Sequence, residues 1–289
     1  MSDPYEPHPY QGQKAVLATK HQKEIVLGPP LQQAVGLDLY VPENIDTDLL
    51  GTFSGEIERH GTPRDVALRK ARWGMELTGL SLGLASEGSF GPHPQLLFVP
   101  SDHELLAFID QERGIEIVEQ TLSVETNYGH QAAKSVDDLQ EFLTQVQFPS
   151  HALIVRPHSG FQPDLLFKGI SDVPSLRNAV ALCSAASADG MAQVETDMRA
   201  HVNPMRQRVL NALAAQLGRR LASRCPSCHA PGFGVVDVVK GLPCEQCGLP
   251  TQLISEEVFG CAVCTYREQY PRSDGLQVAP AASCSFCNP

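Results

Sequence analysis

Apolar and polar positions alternate along the first 222 residues in segments that predict strands and helices in turn. Short apolar runs predict strands over 15–19, 37–42, 80–86, 96–100, 105–110, 114–123, 151–157, 165–170 and 192–196. Apolar residues at helical spacing predict helices over 29–36, 63–77, 136–146, 175–187 and 204–222. This order predicts the α/β class, with a mixed central sheet flanked by helices.

Start signals fix two of these helices closely. Thr62 precedes Pro63, and Asp65 stands at the position of a reciprocal capping box. Asn203 precedes Pro204 in the same way at the start of the last helix. Pro29 and Pro30 open the segment 29–36, which predicts a short helix that begins at Pro29.

Composition divides the chain into three parts. Residues 1–14 are rich in Pro, Tyr and Gln without a period and predict a flexible N-terminal arm. Residues 15–222 form the predicted α/β domain, a candidate nucleotide-binding domain. Residues 223–289 contain eight of the nine cysteines and predict a separate tandem zinc-ribbon module.

The eight clustered cysteines form four C-x-x-C pairs. They are Cys225, Cys228, Cys244, Cys247, Cys261, Cys264, Cys284 and Cys287. Each pair places two thiolates on one tight turn, and two pairs complete a tetrahedron around Zn²⁺. A single redox-active pair is the alternative, but four pairs together favour metal. Two zinc ions are therefore predicted, and four cysteine ligands each would make them structural.

The pairing order of the four knuckles is open at this point. Fifteen residues separate Cys228 from Cys244 and nineteen separate Cys264 from Cys284, and both intervals suit a zinc ribbon. The segment 260–289 resembles rubredoxin-like ribbons, which favours pairing in sequence order. Interleaved or nested pairing remains possible, because Cys247 and Cys261 are also within ribbon distance.

Charge narrows the range of partners. The 289 residues include 22 Lys and Arg against 33 Asp and Glu, a formal charge of −11, and residues 221–289 are also net negative. We therefore predict no binding to nucleic acid or to a membrane. The chain has no signal-like apolar segment and no apolar run of 18 residues, so a cytoplasmic location is expected. The ribbons could support a homodimer or recruit a protein partner.

A polar loop follows the first predicted strand and could bind phosphate. It contains Thr19, Lys20, His21 and Lys23, and a loop leaving a strand can bring lysines and backbone N–H groups onto an anion. A solvated basic turn would explain the same residues.

Three further polar residues stand on an apolar stripe, after a strand or at the start of a helix. Lys70 falls on the apolar stripe of helix 63–77, where it could snorkel to solvent or face an anionic ligand. Glu87 follows the strand 80–86, and the carboxyl ends of strands are where α/β sheets bind ligands. An ordinary turn acid is the alternative for Glu87. Asp65 is explained by its capping box, although a carboxylate there could also hold a divalent metal.

The order of these motifs resembles a known family. The polar loop, T-P-R-D-V-A-L-R-K-A at 62–71, G-L-S-L-G-L-A-S-E-G-S-F at 79–90 and G-F-Q-P-D-L-L-F at 160–167 are similar to motifs of inosine/xanthosine triphosphate pyrophosphatases and Maf-like proteins. The resemblance covers roughly residues 15–222. It implies catalytic roles for Asp65, Lys70 and Glu87, with Mg²⁺ or Mn²⁺ as cofactor, and phosphate binding by the loop at 19–23.

Together these features lead to two functional hypotheses. The first is a metal-dependent hydrolase of nucleoside triphosphates or related phosphoanhydrides. The second is a non-catalytic nucleotide sensor or interaction factor that recruits a partner through its ribbons. The whole chain also resembles an uncharacterised bacterial family without an assigned activity.

Other clusters have ordinary explanations as well. Glu56 and Glu58 would share one side of an extended segment, as metal ligands or as a solvated edge. The charged segment 195–201 could be a site or an ion-paired helix entrance. Cys183 lies in an apolar helix and is interpreted as a small buried residue.

Overall fold

The structure, a computed structural model, describes residues 7–20, 22–43, 61–160 and 162–288. The strands are β1 Lys14–Ala18, β2 Asp38–Tyr40, β3 Leu82–Pro92, β4 Pro100–Asp110, β5 Ile115–Ser123, β6 His130–Ala133, β7 Leu153–Pro157, β8 Phe167–Ile170, β9 Ala192–Thr196, β10 Gly234–Lys240, β11 Ile254–Gly260 and β12 Arg267–Pro271. The helices are α1 Glu24–Val35, α2 Pro63–Thr78, α3 Gln140–Gln145, α4 Val173–Ala186 and α5 Pro204–Ala222.

A mixed five-stranded sheet carries the first half of the fold, with the order β2-β1-β3-β4-β5. Strands β2, β1 and β3 are parallel, and β3, β4 and β5 are antiparallel. Helices α1 and α5 pack on one face, and α2 packs on the other. The predicted mixed sheet with flanking helices is therefore confirmed.

A second sheet, separate from the first, was not foreseen. It has four strands in the order β6-β9-β7-β8, all antiparallel, and α4 packs against it. The hydrophobic pattern predicts strands at the positions of β7, β8 and β9, but it does not show that these strands form a second sheet. The predicted central sheet therefore consists of β1 to β5, and β6 to β9 form a sheet of their own.

Helices α2 and α5 begin where the sequence predicts. The Thr62 side chain and the Asp65 carboxylate form the reciprocal capping box, and Gly79 ends the helix in the left-handed conformation with φ 70°. The Asn203 side chain accepts a hydrogen bond from the Arg206 backbone N–H at 3.0 Å. Both predictions are confirmed because caps are local chemistry.

Helix α1 and the hairpin of β3 and β4 depart from the predictions. Pro29 and Pro30 lie inside α1, which begins five residues earlier, because Leu27, Leu31 and Val35 bury one continuous face. The predicted strand 96–100 is mainly the hairpin loop, and Phe98 at its tip is exposed.

The described part of the predicted N-terminal arm, residues 7–13, is anchored at Tyr10, and residues 1–6 lie outside the described part. Tyr10 is fully buried, stacks edge-on against Phe108 and donates its hydroxyl to the Asp110 carboxylate at 3.0 Å. A buried tyrosine with a partner for its hydroxyl anchors a segment strongly. The physical reason for the difference is therefore one aromatic residue, which the Pro-rich composition concealed.

Candidate functional site: a buried charged cluster and two tetra-cysteine groups

The order of the parallel strands places a topological switch point at the carboxyl end of β1. The connection from β1 to β2 passes through α1 on one face of the sheet, and α2, on the opposite face, precedes β3. Strand order therefore reverses between β1 and β3, which is the switch point where open α/β sheets bind ligands. Strand β1 ends opposite Ala85, and β3 continues for seven more residues beside β4.

Charged side chains gather where β3 runs beyond β1. The buried members are Lys23, Lys70, Ser86, Glu87, Asp102, Glu104 and Arg206, which we call the crevice cluster. Lys23 Nζ donates to Ser86 Oγ at 2.8 Å. Lys70 Nζ lies 2.5 Å from Glu87 Oε1. Arg206 Nε donates to Glu104 Oε1 at 2.5 Å.

Strand alternation decides which side of β3 faces α5 and which side faces α2. Ser86, Gly88 and Phe90 share one face of β3, toward α5, and Glu87 points to the other, toward α2. Gly88 lies opposite Glu104, and a Cβ on Gly88 would come within 2.5 Å of Arg206 Nη2. The glycine is therefore required by the close crossing of the Arg206 side chain.

Glu87 was predicted to leave the end of a strand, and this placement was wrong. Strand β3 continues to Pro92, and Glu87 pairs with Leu105 within the sheet. Gly88, Gly91 and Pro92 suggest a turn after Glu87, but their pairing with β4 keeps this segment extended. Glu87 nevertheless lies beyond the end of β1, at the switch point.

Of the residues predicted to bind phosphate or metal, three meet in the crevice cluster: Lys23, Lys70 and Glu87. Thr19 is buried directly after β1, and Lys20 is exposed. His21 lies outside the described residues, as do Glu56 and Glu58.

Asp65 does not join the buried cluster. Its side chain is exposed, and its carboxylate accepts hydrogen bonds from the backbone N–H and the hydroxyl of Thr62, which lowers the pKa of Asp65. The cap at the start of α2 thus accounts for this residue. The expected pair of metal carboxylates, Asp65 with Glu87, is not assembled in the structure.

Arg206 and the pair of Asp102 and Glu104 were missed by sequence analysis. Glu104 interrupts an apolar strand on the same face as Leu106 and Phe108, and this parity was a usable signal. Arg206 lies in the first turn of α5, where an arginine normally faces solvent. Only the packing of α5 on the sheet shows that it is buried.

Burial changes the protonation of two members of the cluster. Burial, together with the nearby Arg206 charge, lowers the pKa of the Lys23 ammonium to about 8. Burial and the neighbouring Glu104 carboxylate raise the pKa of Asp102 to about 8. The raised pKa favours a proton on Asp102 that is shared with the neighbouring Glu104 carboxylate.

The raised pKa of Asp102 predicts how stability depends on pH. An acid whose pKa is higher in the folded state stabilises fully below its unfolded value, 3.8, and that contribution is lost as pH rises through about 8. We expect Asp102→Asn to be more stable than the wild type at pH 9, by more than about 1 kcal/mol. The advantage should shrink toward pH 6, as measured by urea unfolding. Asp137→Asn, an exposed control, should run parallel to the wild type; parallel curves for Asp102→Asn would contradict the assignment.

The four cysteine knuckles form two groups at opposite ends of one antiparallel sheet. Strands β10, β11 and β12 pair in that order, and the chain reverses direction after each strand. One group contains Cys225, Cys228, Cys261 and Cys264, and the other contains Cys244, Cys247, Cys284 and Cys287. We call the first group, which begins three residues after α5, the proximal cysteine group, and the second the distal cysteine group.

This pairing is interleaved, so the preference for pairing in sequence order was wrong. Each strand carries the chain from one end of the sheet to the other, so that the first and third knuckles meet at one end and the second and fourth at the other. The signal for this pairing lies in the segments between the knuckles, which form β10, β11 and β12.

The geometry of both groups suits zinc. A tetrahedron with Zn–S bonds of 2.3 Å has S–S edges of about 3.8 Å. In the proximal group, the Sγ atoms of Cys225 and Cys264 are 3.7 Å apart and those of Cys228 and Cys261 are 3.5 Å apart. The matching distances in the distal group are 3.9 and 3.7 Å. Each group could hold one zinc ion.

The knuckle turns also have the expected backbone. Cys225 C=O accepts from the His229 N–H at 3.0 Å, and Cys244 C=O accepts from the Gly248 N–H at 2.9 Å. His229 and Gly248 occupy the same left-handed position, with φ 60° and 72°.

The remaining candidate residues have structural roles. Cys183 is buried, its Sγ donates to Leu165 C=O at 3.4 Å, and burial raises its pKa to about 11, as expected of a packing residue. Buried Asp197 pairs with Arg199 at 2.6 Å and accepts from the Gly169 N–H. The segment 195–201 is thus an ion-paired helix entrance. Among the described helices, none is long and apolar enough to cross a membrane.

These features define a class: an α/β protein with charged residues at its switch point and a C-terminal module with two tetra-cysteine groups. The chain belongs to the family described as a domain of unknown function (DUF6671), which its residues 70–289 match. The match begins at Lys70 and spans the crevice cluster, apart from Lys23, and both cysteine groups. No curated protein matches the chain.

Proposed function

We propose that the crevice at the carboxyl ends of β1 and β3 binds a phosphorylated small molecule of the nucleotide class. The observation that carries the proposal is the burial of three cationic side chains, Lys23, Lys70 and Arg206, together at a switch point. Buried cations need anionic partners, and phosphate oxygens accept strong charge-assisted hydrogen bonds. The resemblance to inosine triphosphatase-like proteins supports a nucleoside triphosphate as the ligand.

The activity proposed for this crevice is metal-dependent hydrolysis of a phosphoanhydride bond. A phosphate that pairs with the Lys70 ammonium would free the Glu87 carboxylate from its ion pair. That carboxylate could then hold Mg²⁺ or Mn²⁺, which polarises phosphoryl oxygens. Asp65 does not fit this role because its carboxylate is exposed in the helix cap. Lys23 and Lys70 would offset the charge that develops on the phosphates.

The second candidate is a non-catalytic nucleotide sensor with a protein partner on the cysteine module. Two observations favour it: Lys70 already neutralises Glu87, and the edge strand β10 exposes Val235, Val236 and Val238. An exposed apolar edge strand is a common site of strand addition. A homodimer through the same strand is the alternative arrangement.

A nucleotide panel with Lys23→Met tests the proposal. We expect the wild type to bind a nucleoside triphosphate and Lys23→Met, which keeps the side-chain length, to bind it at least tenfold more weakly. Because the pKa of Lys23 is about 8, wild-type affinity should also fall between pH 7 and pH 9. Isothermal titration measures both effects.

Lys134→Met is the matched control, because Lys134 is exposed and remote in sequence from the cluster. Equal affinity of Lys23→Met and Lys134→Met would refute binding at the crevice. Release of phosphate or pyrophosphate with Mg²⁺ or Mn²⁺ selects the hydrolase, and tight binding without turnover selects the sensor.

A further inference from the structure

Three carboxylate oxygens in the crevice cluster have no hydrogen-bond partner among the described residues. They are Asp102 Oδ1, Asp102 Oδ2 and Glu104 Oε2. Asp102 is 1% exposed and Glu104 is fully buried, so water does not satisfy these atoms freely. One proton shared between the two carboxyl groups can satisfy only one oxygen of each. At least one Asp102 oxygen therefore still needs a donor.

An aromatic pair lies beside these oxygens. Phe90 is the direct cross-strand partner of Asp102, and directly opposed side chains on one face have Cβ atoms about 5 Å apart. The Phe90 and Tyr128 rings are stacked at 6.0 Å between centroids, and both residues are partly exposed. The Arg206 guanidinium covers the Phe90 ring at 5.1 Å. Flat, amphipathic ligands stack on such rings.

The spacing along β3 matches the length of a nucleotide. Ser86, which binds Lys23, and Phe90 point to the same face and are four residues apart, which is about 13 Å along a strand. Phosphates at Lys23 would therefore place a nucleoside base near Phe90, Tyr128 and Asp102. The Lys23 and Arg206 charges also act on the Asp102 carboxyl group, so the two ends form one site.

We infer that Asp102 and the Phe90–Tyr128 pair form a base subsite that selects bases bearing an exocyclic amino group. The amino group would donate an N–H to the Asp102 oxygen that the shared proton leaves without a donor, while the ring stacks on the aromatic pair. A base with a carbonyl oxygen at the same position would oppose acceptor to acceptor, which leaves buried polar atoms unpaired. This inference rests on the proposed function, since it assumes that phosphates bind at Lys23.

Matched pairs of nucleotides test the inference. Isothermal titration of the full chain with ATP against ITP, and with CTP against UTP, compares an amino group with a carbonyl group at one position. We expect the amino-bearing member of each pair to bind at least tenfold more tightly. Inorganic triphosphate, which has no base, reports the phosphate end alone.

Asp102→Asn should reduce the preference within each pair to less than threefold, because an amide can donate to a carbonyl as well as accept. Tyr128→Leu, a second variant outside the charged cluster, should weaken all four nucleotides and leave inorganic triphosphate unchanged. Equal binding within both pairs by the wild type would overturn the base subsite while the proposed function stands. Failure of every probe, including inorganic triphosphate, would overturn both.

Discussion

Replacing Cys264 by serine is expected to lower the midpoint of thermal unfolding of the whole protein by about 10 °C or more. Replacing Cys287 should instead melt only the far end of the cysteine module. Both residues are the last cysteine of their group, and both are partly exposed, so the substitutions are matched. The wild type should contain two zinc ions per chain, and each variant should contain one.

The expected difference follows from what each group contacts. Gly232, which follows the first knuckle, lies against the core so closely that a Cβ there would be 2.6 Å from Ile117 Cδ1. Ala262, between two proximal ligands, packs on the same core. The Arg220 side chain on α5 also donates to Gly232 C=O at 3.3 Å. Loss of the proximal metal therefore loosens contacts of β5 and α5.

The distal group is held by its own module. Glu245 N–H donates to Ala279 C=O at 2.9 Å, and Ala279 N–H donates to Pro243 C=O at 2.7 Å. Circular dichroism during heating and zinc release measured with a chromogenic chelator distinguish the two variants. Equal shifts for Cys264→Ser and Cys287→Ser would contradict the unequal roles.

The same contacts bear on where the chain can be cut. A chain ending near Ser223 would retain every helix and strand of the α/β part, since α5 is complete at Ala222. In the structure, Ile117 is covered by Gly232, and the Ser223 C=O accepts from the Gly232 and Phe233 N–H groups. We expect such a truncated chain to be less stable than the full chain, because these partners are removed.

Local chemistry explains which elements could be predicted. The caps of α2 and α5 depend on residues three apart, Thr62 with Asp65 and Asn203 with Arg206, so the sequence alone reveals them. The hairpin of β4 and β5 likewise depends on the short turn after Asp110. In each case the partners are neighbours along the chain, and no distant contact competes.

Distant contacts explain what could not be predicted. The knuckle pairing is decided by three strands that run between the knuckles, and the burial of Arg206 by the packing of α5 across β3 and β4. Glu87 was assigned to a loop because Gly88 and Pro92 suggest turns, whereas the β4 ladder keeps them in the strand. Lys70 and Lys23 were found because a charge on an apolar stripe or after a strand is visible locally.

Arg206→Met is expected to destabilise the protein by about 3–5 kcal/mol, the usual cost of leaving a buried charge without its partner. Arg206 is 6% exposed, pairs with fully buried Glu104 at 2.5 Å and also donates to Met198 C=O. Methionine fills similar space, so lost packing contributes little. Urea unfolding at pH 7 measures the free energy.

The double variant Arg206→Met with Glu104→Gln identifies the cause. If the cost arises from the uncompensated Glu104 charge, removing that charge should restore more than half of the lost stability. Arg208→Met is the matched control, two residues along the same helix and exposed, with an expected change within about 0.5 kcal/mol. A double variant no more stable than Arg206→Met alone would show that Arg206 stabilises through packing and through Met198, and that the Glu104 charge has another partner.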